Sequence, residues 1–183
     1  MKKAVIFDID DLLIDTTVRK KVYDDTKLKL DASIVKKDYE NGGFFIYDGV
    51  LPFAVEVIMA FKNAGYVLIY ITGRRKTMLD ATYEQFKLVG IPFDKRLVFH
   101  KDTKEQNTTN YKAFIYDRLK RNGLDVQYFF DDTVENCEMA ESKGIPHIYL
   151  SLKDFLSDVY TDKLETDVVV WGDEKYENSI EWL

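Results

Sequence analysis

Short apolar segments alternate with longer amphipathic segments along the first 150 residues. The short segments are rich in β-branched and aromatic residues, and several end abruptly at a polar residue, which is typical of buried parallel strands. The pattern predicts strands over residues 4–7, 67–71, 96–99, 126–130 and 147–150.

The amphipathic segments predict helices over residues 53–64, 79–88, 111–120 and 134–142. A glycine follows each predicted helix, as is usual where a left-handed residue caps a helix end. Alternating strands and helices predict an α/β fold of three layers, a Rossmann-like parallel sheet with helices on both faces. In such a sheet the functional crevice lies beyond the carboxyl ends of the strands.

Two regions fit this alternation less well. Residues from about 16 to 50 form a small insertion after the first strand, with a predicted helix near 19–28 and an aromatic run at 44–47. Residues from about 152 to 183 are predicted to add a helix and one more strand, at 167–171, to an edge of the sheet. We therefore predict a single domain over residues 1–183 that carries an insertion and a C-terminal extension.

Composition narrows the class of protein. With 32 acidic and 26 basic residues the net charge is −6, which argues against a protein that coats duplex nucleic acid. A single cysteine excludes an intramolecular disulfide and favours a reducing compartment. No apolar stretch approaches the roughly 20 residues of a membrane helix, and the N-terminal apolar run is too short for a signal peptide. We expect a cytoplasmic, globular protein, and its oligomeric state stays open.

Acidic and hydroxyl side chains follow three of the predicted strands. The first strand runs into Asp8 and Asp10, the second into Thr72-Gly73-Arg74, and the fourth into Asp131-Asp132. Carboxylates that converge on one crevice repel each other unless a cation neutralises them, and carboxylate and carbonyl oxygens suit Mg²⁺. The sequence has no group of Cys and His residues that would favour zinc. The pattern therefore predicts a magnesium site.

An aspartate beside Mg²⁺ can attack phosphorus and form an acyl phosphate. Asp10, two positions after Asp8, could give a proton to the leaving group and take one from water. These two roles predict a higher pKa for Asp10 than for Asp8. The hydroxyl of Thr72, the amides after it and a lysine would bind the charged phosphoryl oxygens.

The segments AVIFDIDDLL, VLIYITGRR and FFDDTVEN resemble the first, second and fourth motifs of the haloacid dehalogenase (HAD) superfamily of phosphotransferases, and the resemblance covers residues 4–150. It implies that Asp8 is the nucleophile and Asp10 the general acid/base. It also implies that Asp8, Asp131 and the backbone carbonyl of Asp10 hold Mg²⁺. Among the remaining positions it implies phosphate-binding roles for Thr72, Gly73 and the third-motif lysine, which is Lys112 or, as the alternative, Lys104.

Three further residues have two interpretations each. Asp132 and Asn136 either orient water on the metal or hold the loop, or else they simply cap the following helix, and Arg74 either contacts substrate or pairs with a surface carboxylate. The chain departs from the resemblance at Asp11-Leu12, where the superfamily often has Gly-Thr. A charge and a Cβ at position 11 could repel a highly anionic substrate.

The resemblance is closest to acid-phosphatase-like and nucleotidase-like members with a minimal cap. It implies a Mg²⁺-dependent phosphatase for a small phosphorylated substrate. A phosphatase of nucleotides or of polynucleotide 3′ or 5′ ends is the alternative. A catalytically silent domain that binds phosphorylated partners is a third hypothesis, supported only by Asp11 and Leu12.

Overall fold

The predicted strands form one parallel sheet in the computed structural model, which describes residues 1–165 and their side chains as far as Thr161. The order across the sheet is β5-β4-β1-β6-β7, so that β1 is central and β4 and β6 are its neighbours. The strands are β1 Lys2–Phe7, β4 Val67–Arg75, β5 Val98–Lys101, β6 Leu124–Phe130 and β7 His147–Tyr149.

Helices cover both faces of this sheet because the central strand is apolar on both sides. Ala4 and Ile6 belong to a core that includes Tyr111 and Ile115 of a helix on one face. Phe7 points to the opposite face, where its ring meets that of Phe61 at a centroid distance of 5.9 Å. The α/β, three-layer fold class predicted from sequence is confirmed. The covering helices are α3 Ala54–Asn63, α4 Leu79–Val89, α5 Thr108–Arg121 and α6 Val134–Ser142.

The insertion is closed at its base by a short antiparallel pair, β2 Ile14–Asp15 and β3 Gly49–Val50. Between these strands lie α1 Thr17–Lys27, α2 Ala32–Tyr39 and a 3₁₀ turn at Phe45–Tyr47. Helix α2 was not predicted, although Asp31 caps it by accepting hydrogen bonds from the amides of Ser33 and Ile34. Tyr23 of α1, Tyr39 of α2 and Phe44, which precedes the turn, pack their rings together within this insertion.

Several element boundaries differ from the prediction, and three of them have a clear local cause. Strand β4 runs to Arg75 rather than ending at residue 71, because its backbone pairs with β5 as far as Lys101 across a register shift after Thr72. Strand β5 begins at Val98, since a 3₁₀ turn occupies Lys95–Leu97. Helix α5 begins three residues early, because Asn107 caps it by accepting from the amide of Asn110.

The C-terminal region is described only in part. The first compact unit comprises Met1–Leu152, and helix α7, Leu152–Glu165, begins where it ends. The strand predicted over 167–171 lies outside the described residues. Within residues 1–165 no helix has the length and apolar character needed to cross a membrane.

Candidate active site

Three predicted site residues lie at the carboxyl ends of the three central strands. Asp8 follows β1, Asp131 follows β6, and Thr72 lies in the last part of β4. Backbone pairing fixes the two aspartates, since the amide of Asp8 donates to the carbonyl of Phe130 and the amide of Asp131 donates to that of Tyr149. Adjacent parallel strands therefore bring together residues that are far apart in sequence.

Lys112 of α5 lies between the two buried aspartates. Its Nζ donates to Asp8 Oδ1 at 2.7 Å and to Asp131 Oδ2 at 2.5 Å, and its side chain is 2% exposed. Burial of an ammonium is costly, and hydrogen bonds to two carboxylates offset that cost here. The alternative lysine, Lys104, is exposed and lines a neighbouring cavity instead. Geometry thus favours Lys112 as the lysine of the third motif.

Asn136 holds the carboxylate of Asp131 from the other side. Its Nδ2 donates to Asp131 Oδ1 at 2.8 Å, and its own Oδ1 accepts from Thr109 Oγ1 at 2.8 Å. The amide of Thr133 donates to the same carboxylate oxygen. Asn136 of α6 therefore bonds α5 directly through Thr109 and fixes the orientation of Asp131, which supports its role in holding this loop.

A group of three carboxylates could hold a divalent cation. Asp8, Asp131 and Asp132 each present an oxygen within 4.8 Å of the others. All of the donors are hard oxygens and two of the residues are buried, so the group suits an ion such as Mg²⁺. The third member of the group is Asp132, which the sequence analysis did not include among the predicted metal ligands. The carboxylate of Asp10, by contrast, points to other partners.

Two arginines hold the side chain of Asp10. Arg74 donates from Nε to Asp10 Oδ2 at 3.0 Å and from Nη2 to Oδ1 at 2.8 Å. Arg19 of α1 donates from Nη2 to Oδ1 at 2.6 Å. Both guanidinium groups lie near the ring of Phe45, at 4.2 Å for Arg74 and 4.6 Å for Arg19. The proposed acid/base is thus fixed jointly by the sheet and by the insertion.

These surroundings give the two aspartates different pKa values. Burial, together with the charge of Asp131, raises the pKa of Asp8 to about 7 despite the opposing effect of Lys112. Burial also acts to raise the pKa of Asp10, but the charges and hydrogen bonds of Arg74 and Arg19 outweigh it and hold that pKa well below its usual range. The expectation that Asp10 has the higher pKa is therefore wrong for this structure, because Asp10 contacts two guanidinium groups while Asp8 shares one ammonium with Asp131.

The predicted phosphate-binding residues Thr72 and Gly73 lie beside this group. Thr72 is buried, and its Oγ1 accepts a hydrogen bond from the amide of Arg74 at 3.1 Å. A Cβ at Gly73 would lie 3.6 Å from the side chain of Thr108. Gly73 is exposed and lines the neighbouring cavity, so its backbone is accessible to a ligand.

The sequence matches the family model of the HAD superfamily, subfamily IIIB (acid phosphatase), over residues 1–154. The chain belongs to this family. It is therefore a HAD-superfamily phosphatase, of a family that hydrolyses phosphoric monoesters. A search of curated proteins finds no match to the sequence.

Solved structures share the fold at low sequence identity. The class C acid phosphatase from Bacillus anthracis with tungstate bound is 21% identical, with a TM-score of 0.58 over 94% of this chain and 81% of that one. The Pnkp1/Rnl/Hen1 complex contains a chain that is 19% identical, with a TM-score of 0.56 over 82% of this chain and 47% of that one. A HAD phosphatase from Thermococcus onnurineus is 16% identical, with a TM-score of 0.51 over 87% of this chain and 98% of that one.

Asp11, the unusual residue of this HAD phosphatase, has a backbone φ of 61°, in the left-handed region that glycine adopts most easily. Its carboxylate accepts from the hydroxyl of the buried Thr16 and from Lys20 Nζ. Asp11 therefore joins the first-motif turn to the start of α1, and Lys20 offsets its charge. Leu12, the second departure, is buried in the core.

The sequence did not single out Arg19 or Asp48 as site residues. Arg19 Nε lies 3.1 Å from Asp48 Oδ1, and Asp48 Oδ2 accepts from Gln85 Nε2 at 2.7 Å. Arg19 is one cation among several in the insertion, and no local pattern separates it from its neighbours. Only the three-dimensional structure shows that Arg19 reaches Asp10.

Proposed function

We propose that this phosphatase hydrolyses small phosphomonoesters through an aspartyl-phosphate on Asp8, with Asp10 as the general acid/base. The observation that carries the proposal is the position of Lys112, which contacts Asp8 and Asp131 at once in a buried crevice. A cation fixed beside a carboxylate neutralises the charge that would otherwise repel an incoming phosphate.

In the first half of the reaction an oxygen of Asp8 attacks phosphorus, and the bond from phosphorus to the leaving oxygen breaks. Asp10 gives that oxygen a proton, which completes the alcohol product. In the second half Asp10 takes a proton from water as the water attacks the aspartyl-phosphate, so that inorganic phosphate and free Asp8 result. Arg74 and Arg19 orient Asp10 for both transfers.

We further propose that Mg²⁺ is the ion held by Asp8, Asp131 and Asp132, with the backbone carbonyl of Asp10 as another oxygen ligand. When bound, this ion would neutralise phosphoryl charge and lower the pKa of Asp8, so that the nucleophile is ionised. Lys112 contacts the same two aspartates and would turn one or more of its protons toward the phosphoryl oxygens. Thr72 and the amide of Gly73 would bind the remaining oxygens.

Two alternative functions involve the same crevice. Nucleotides or polynucleotide ends are possible substrates of the same chemistry, and the fold likeness to a chain of the Pnkp1/Rnl/Hen1 complex is consistent with this. A silent phospho-binding domain is disfavoured, because Asp8, Asp10 and Lys112 are all present and in contact with suitable partners. A cytoplasmic location stays a prediction.

Replacement of the nucleophile tests the proposal. Asp8→Asn should lower hydrolysis of p-nitrophenyl phosphate at least about 1,000-fold, since a carboxamide is not a nucleophile toward phosphorus. Asp125→Asn is the matched control, because Asp125 lies at the opposite end of β6 from Asp131 and should keep full activity. Activity that survives in Asp8→Asn would overturn the assignment of the nucleophile.

Two further measurements separate the metal from the covalent step. EDTA should abolish turnover and added Mg²⁺ should restore it; full activity in chelator would contradict the magnesium site. Beryllofluoride should form a stable adduct with the wild-type protein but not with Asp8→Asn, detected by ¹⁹F NMR. An adduct of equal stability in both proteins would contradict an aspartyl-phosphate on Asp8.

A further inference from the structure

A cavity of about 250 Å³ lies beside the phosphate-binding segment. Gly73 and Arg74 belong both to that segment and to the wall of the cavity. The opposite wall comes from the insertion, including Tyr23 of α1 and Tyr39 of α2. An ion pair between Arg75 and Glu40 and a hydrogen bond from Thr77 Oγ1 to the carbonyl of Glu40 connect the two walls. The cavity therefore borders the crevice at Gly73 and Arg74.

The wall carries a large excess of positive charge. Arg74 pairs with Asp10 and Arg75 pairs with Glu40, the single carboxylate of the lining. Three more cations line the cavity, Lys36, Lys101 and Lys104. Within the part of the chain that the structure describes, none of these three forms an ion pair.

Lys101 is an unpaired cation that the surrounding structure holds in a fixed position. Its side chain is buried, and its Nζ donates to the carbonyl of Gln106 at 2.9 Å and to Thr108 Oγ1 at 3.0 Å. Neutral oxygens hold the ammonium in place without neutralising it. In a chain of net charge −6, unpaired cations that converge on one cavity attract an anion.

We propose that this cavity binds a second phosphoryl group of the substrate, so that the preferred substrate is a nucleotide that carries another phosphate or a phosphodiester besides the monoester that is hydrolysed. The inference rests on the proposed function and specifies its substrate. The scissile phosphate occupies the crevice at Asp8, and the second group lies between the insertion and the end of β5.

The size and the aromatic wall of the cavity support a nucleotide. A cavity of about 250 Å³ is smaller than the roughly 300–1,000 Å³ of sites that enclose a whole small ligand, so it would take one phosphate and the adjoining part of the molecule. Tyr23 and Tyr39 both line the cavity beside the cations, and their rings lie 4.3 Å apart between centroids at an interplanar angle of 42°. Tyrosine rings can stack on a base while lysines bind its phosphate.

Substrates that differ by one phosphate test the inference. The wild-type protein should have a kcat/KM for adenosine 3′,5′-bisphosphate at least about tenfold above that for adenosine 3′-monophosphate, the effect expected of charged hydrogen bonds to one extra phosphate. A 3′-phosphorylated dinucleotide distinguishes the two sources of the second group. A preference for the dinucleotide assigns the cavity to a phosphodiester, and a preference for the bisphosphate assigns it to a free phosphate.

A double variant, Lys36→Ala with Lys104→Ala, tests whether the cavity causes the preference for the extra phosphate. Both side chains are exposed, so the fold should tolerate the change. It should lower the ratio of the two kcat/KM values about tenfold. Lys37→Ala is the matched control, since Lys37 is the next residue of α2 and does not line the cavity. It should leave the ratio unchanged.

Three results would overturn the inference: equal kcat/KM values for both adenosine substrates in the wild-type protein, a ratio that the double variant does not alter, or a ratio that Lys37→Ala lowers equally. None of them affects the proposed function, because hydrolysis of p-nitrophenyl phosphate and its dependence on Asp8 need no second phosphate. Loss of that dependence on Asp8 would be the separate failure of the proposed function.

Discussion

Arg74 donates two hydrogen bonds to the carboxylate of Asp10, from Nε to Oδ2 at 3.0 Å and from Nη2 to Oδ1 at 2.8 Å. The arginine side chain is almost completely buried, and its Nη1 also donates to Thr82 Oγ1. A forked, buried pair of this kind fixes both the position and the charge of the carboxylate. Because Asp10 must carry a proton when the leaving group departs, Arg74 controls the pH range in which the first half of the reaction can proceed.

We predict that Arg74→Gln raises the pKa of Asp10 by about one unit, because an adjacent positive charge is lost. The maximal rate should fall about tenfold, since the carboxylate also loses its orientation. A ¹³C NMR titration of the Asp10 carboxyl, carried below pH 4, measures the change in pKa, and initial rates on p-nitrophenyl phosphate measure the change in rate. Arg96→Gln is the control, since Arg96 is exposed and pairs with Asp94. A lower rate with an unchanged pKa of Asp10 would show that Arg74 acts on position alone.

Lys112 and Lys104 are predicted to differ in both stability and activity. Lys112→Met leaves Asp8 and Asp131 buried without their shared cation, so it should lower the free energy of unfolding in EDTA by about 3 kcal/mol. It should also lower the activity on p-nitrophenyl phosphate at least about 100-fold. Lys104→Met removes an exposed charge and should change stability by less than about 0.5 kcal/mol.

Urea unfolding and initial rates on the two variants decide between these lysines. The low stability of Lys112→Met should recover in part with Mg²⁺, because a divalent cation can neutralise the same two carboxylates. Equal losses of activity in the two variants would contradict the assignment of Lys112 to the third motif.

Sequence patterns predicted the fold well, because the elements that carry it have strong periodicity and clear ends. β1 is apolar from Ala4 to Phe7 and is followed by Asp8, and Thr72 and Asp131 lie at the carboxyl ends of the neighbouring strands, so that the topology alone brings these residues together. The same patterns could not predict the partners of Asp10. Arg19 reaches it from a helix that packs beside Phe45, whose ring lies 4.6 Å from the guanidinium, and this contact joins residues distant in the chain. The order of the two pKa values was wrong for the same reason.

The turn at Asp11 combines a conformation that favours glycine with hydrogen bonds that glycine cannot make. A left-handed backbone costs a residue with a side chain about 1–2 kcal/mol, which Asp11→Gly would relieve. The change also removes the acceptor of the buried Thr16 hydroxyl, at a cost of about 1–3 kcal/mol. We therefore predict that Asp11→Gly is no more stable than the wild-type protein.

Asp11→Asn separates the two contributions, since asparagine tolerates this backbone conformation and keeps an oxygen that can accept from Thr16. It should lie within about 1 kcal/mol of the wild-type protein in thermal or urea unfolding. A clear gain of stability in Asp11→Gly would show instead that backbone strain dominates this turn.

His100 of β5 is predicted to make folding sensitive to mild acid. Burial, with a smaller effect of the nearby Arg74, lowers its pKa to about 4, against an ordinary value of 6.5, although Asp10 opposes the shift. Between these two pH values the unfolded chain binds a proton that the folded protein does not. The free energy of unfolding should therefore fall as pH is lowered from about 6.5 to about 4, by about 3 kcal/mol for this residue.

His100→Gln should remove that part of the pH dependence, because glutamine does not titrate while its amide can take the place of Nε2 beside Thr82 Oγ1. Urea unfolding in EDTA at several pH values between 4 and 7 measures the two curves. The raised pKa of Asp8 acts in the opposite direction over this range, since the folded state then takes up a proton more readily, but both proteins share it. The difference between the curves therefore gives the contribution of His100 to the pH dependence of the free energy of unfolding. Parallel curves would show instead that the folded protein accepts a proton on this imidazole without loss of stability.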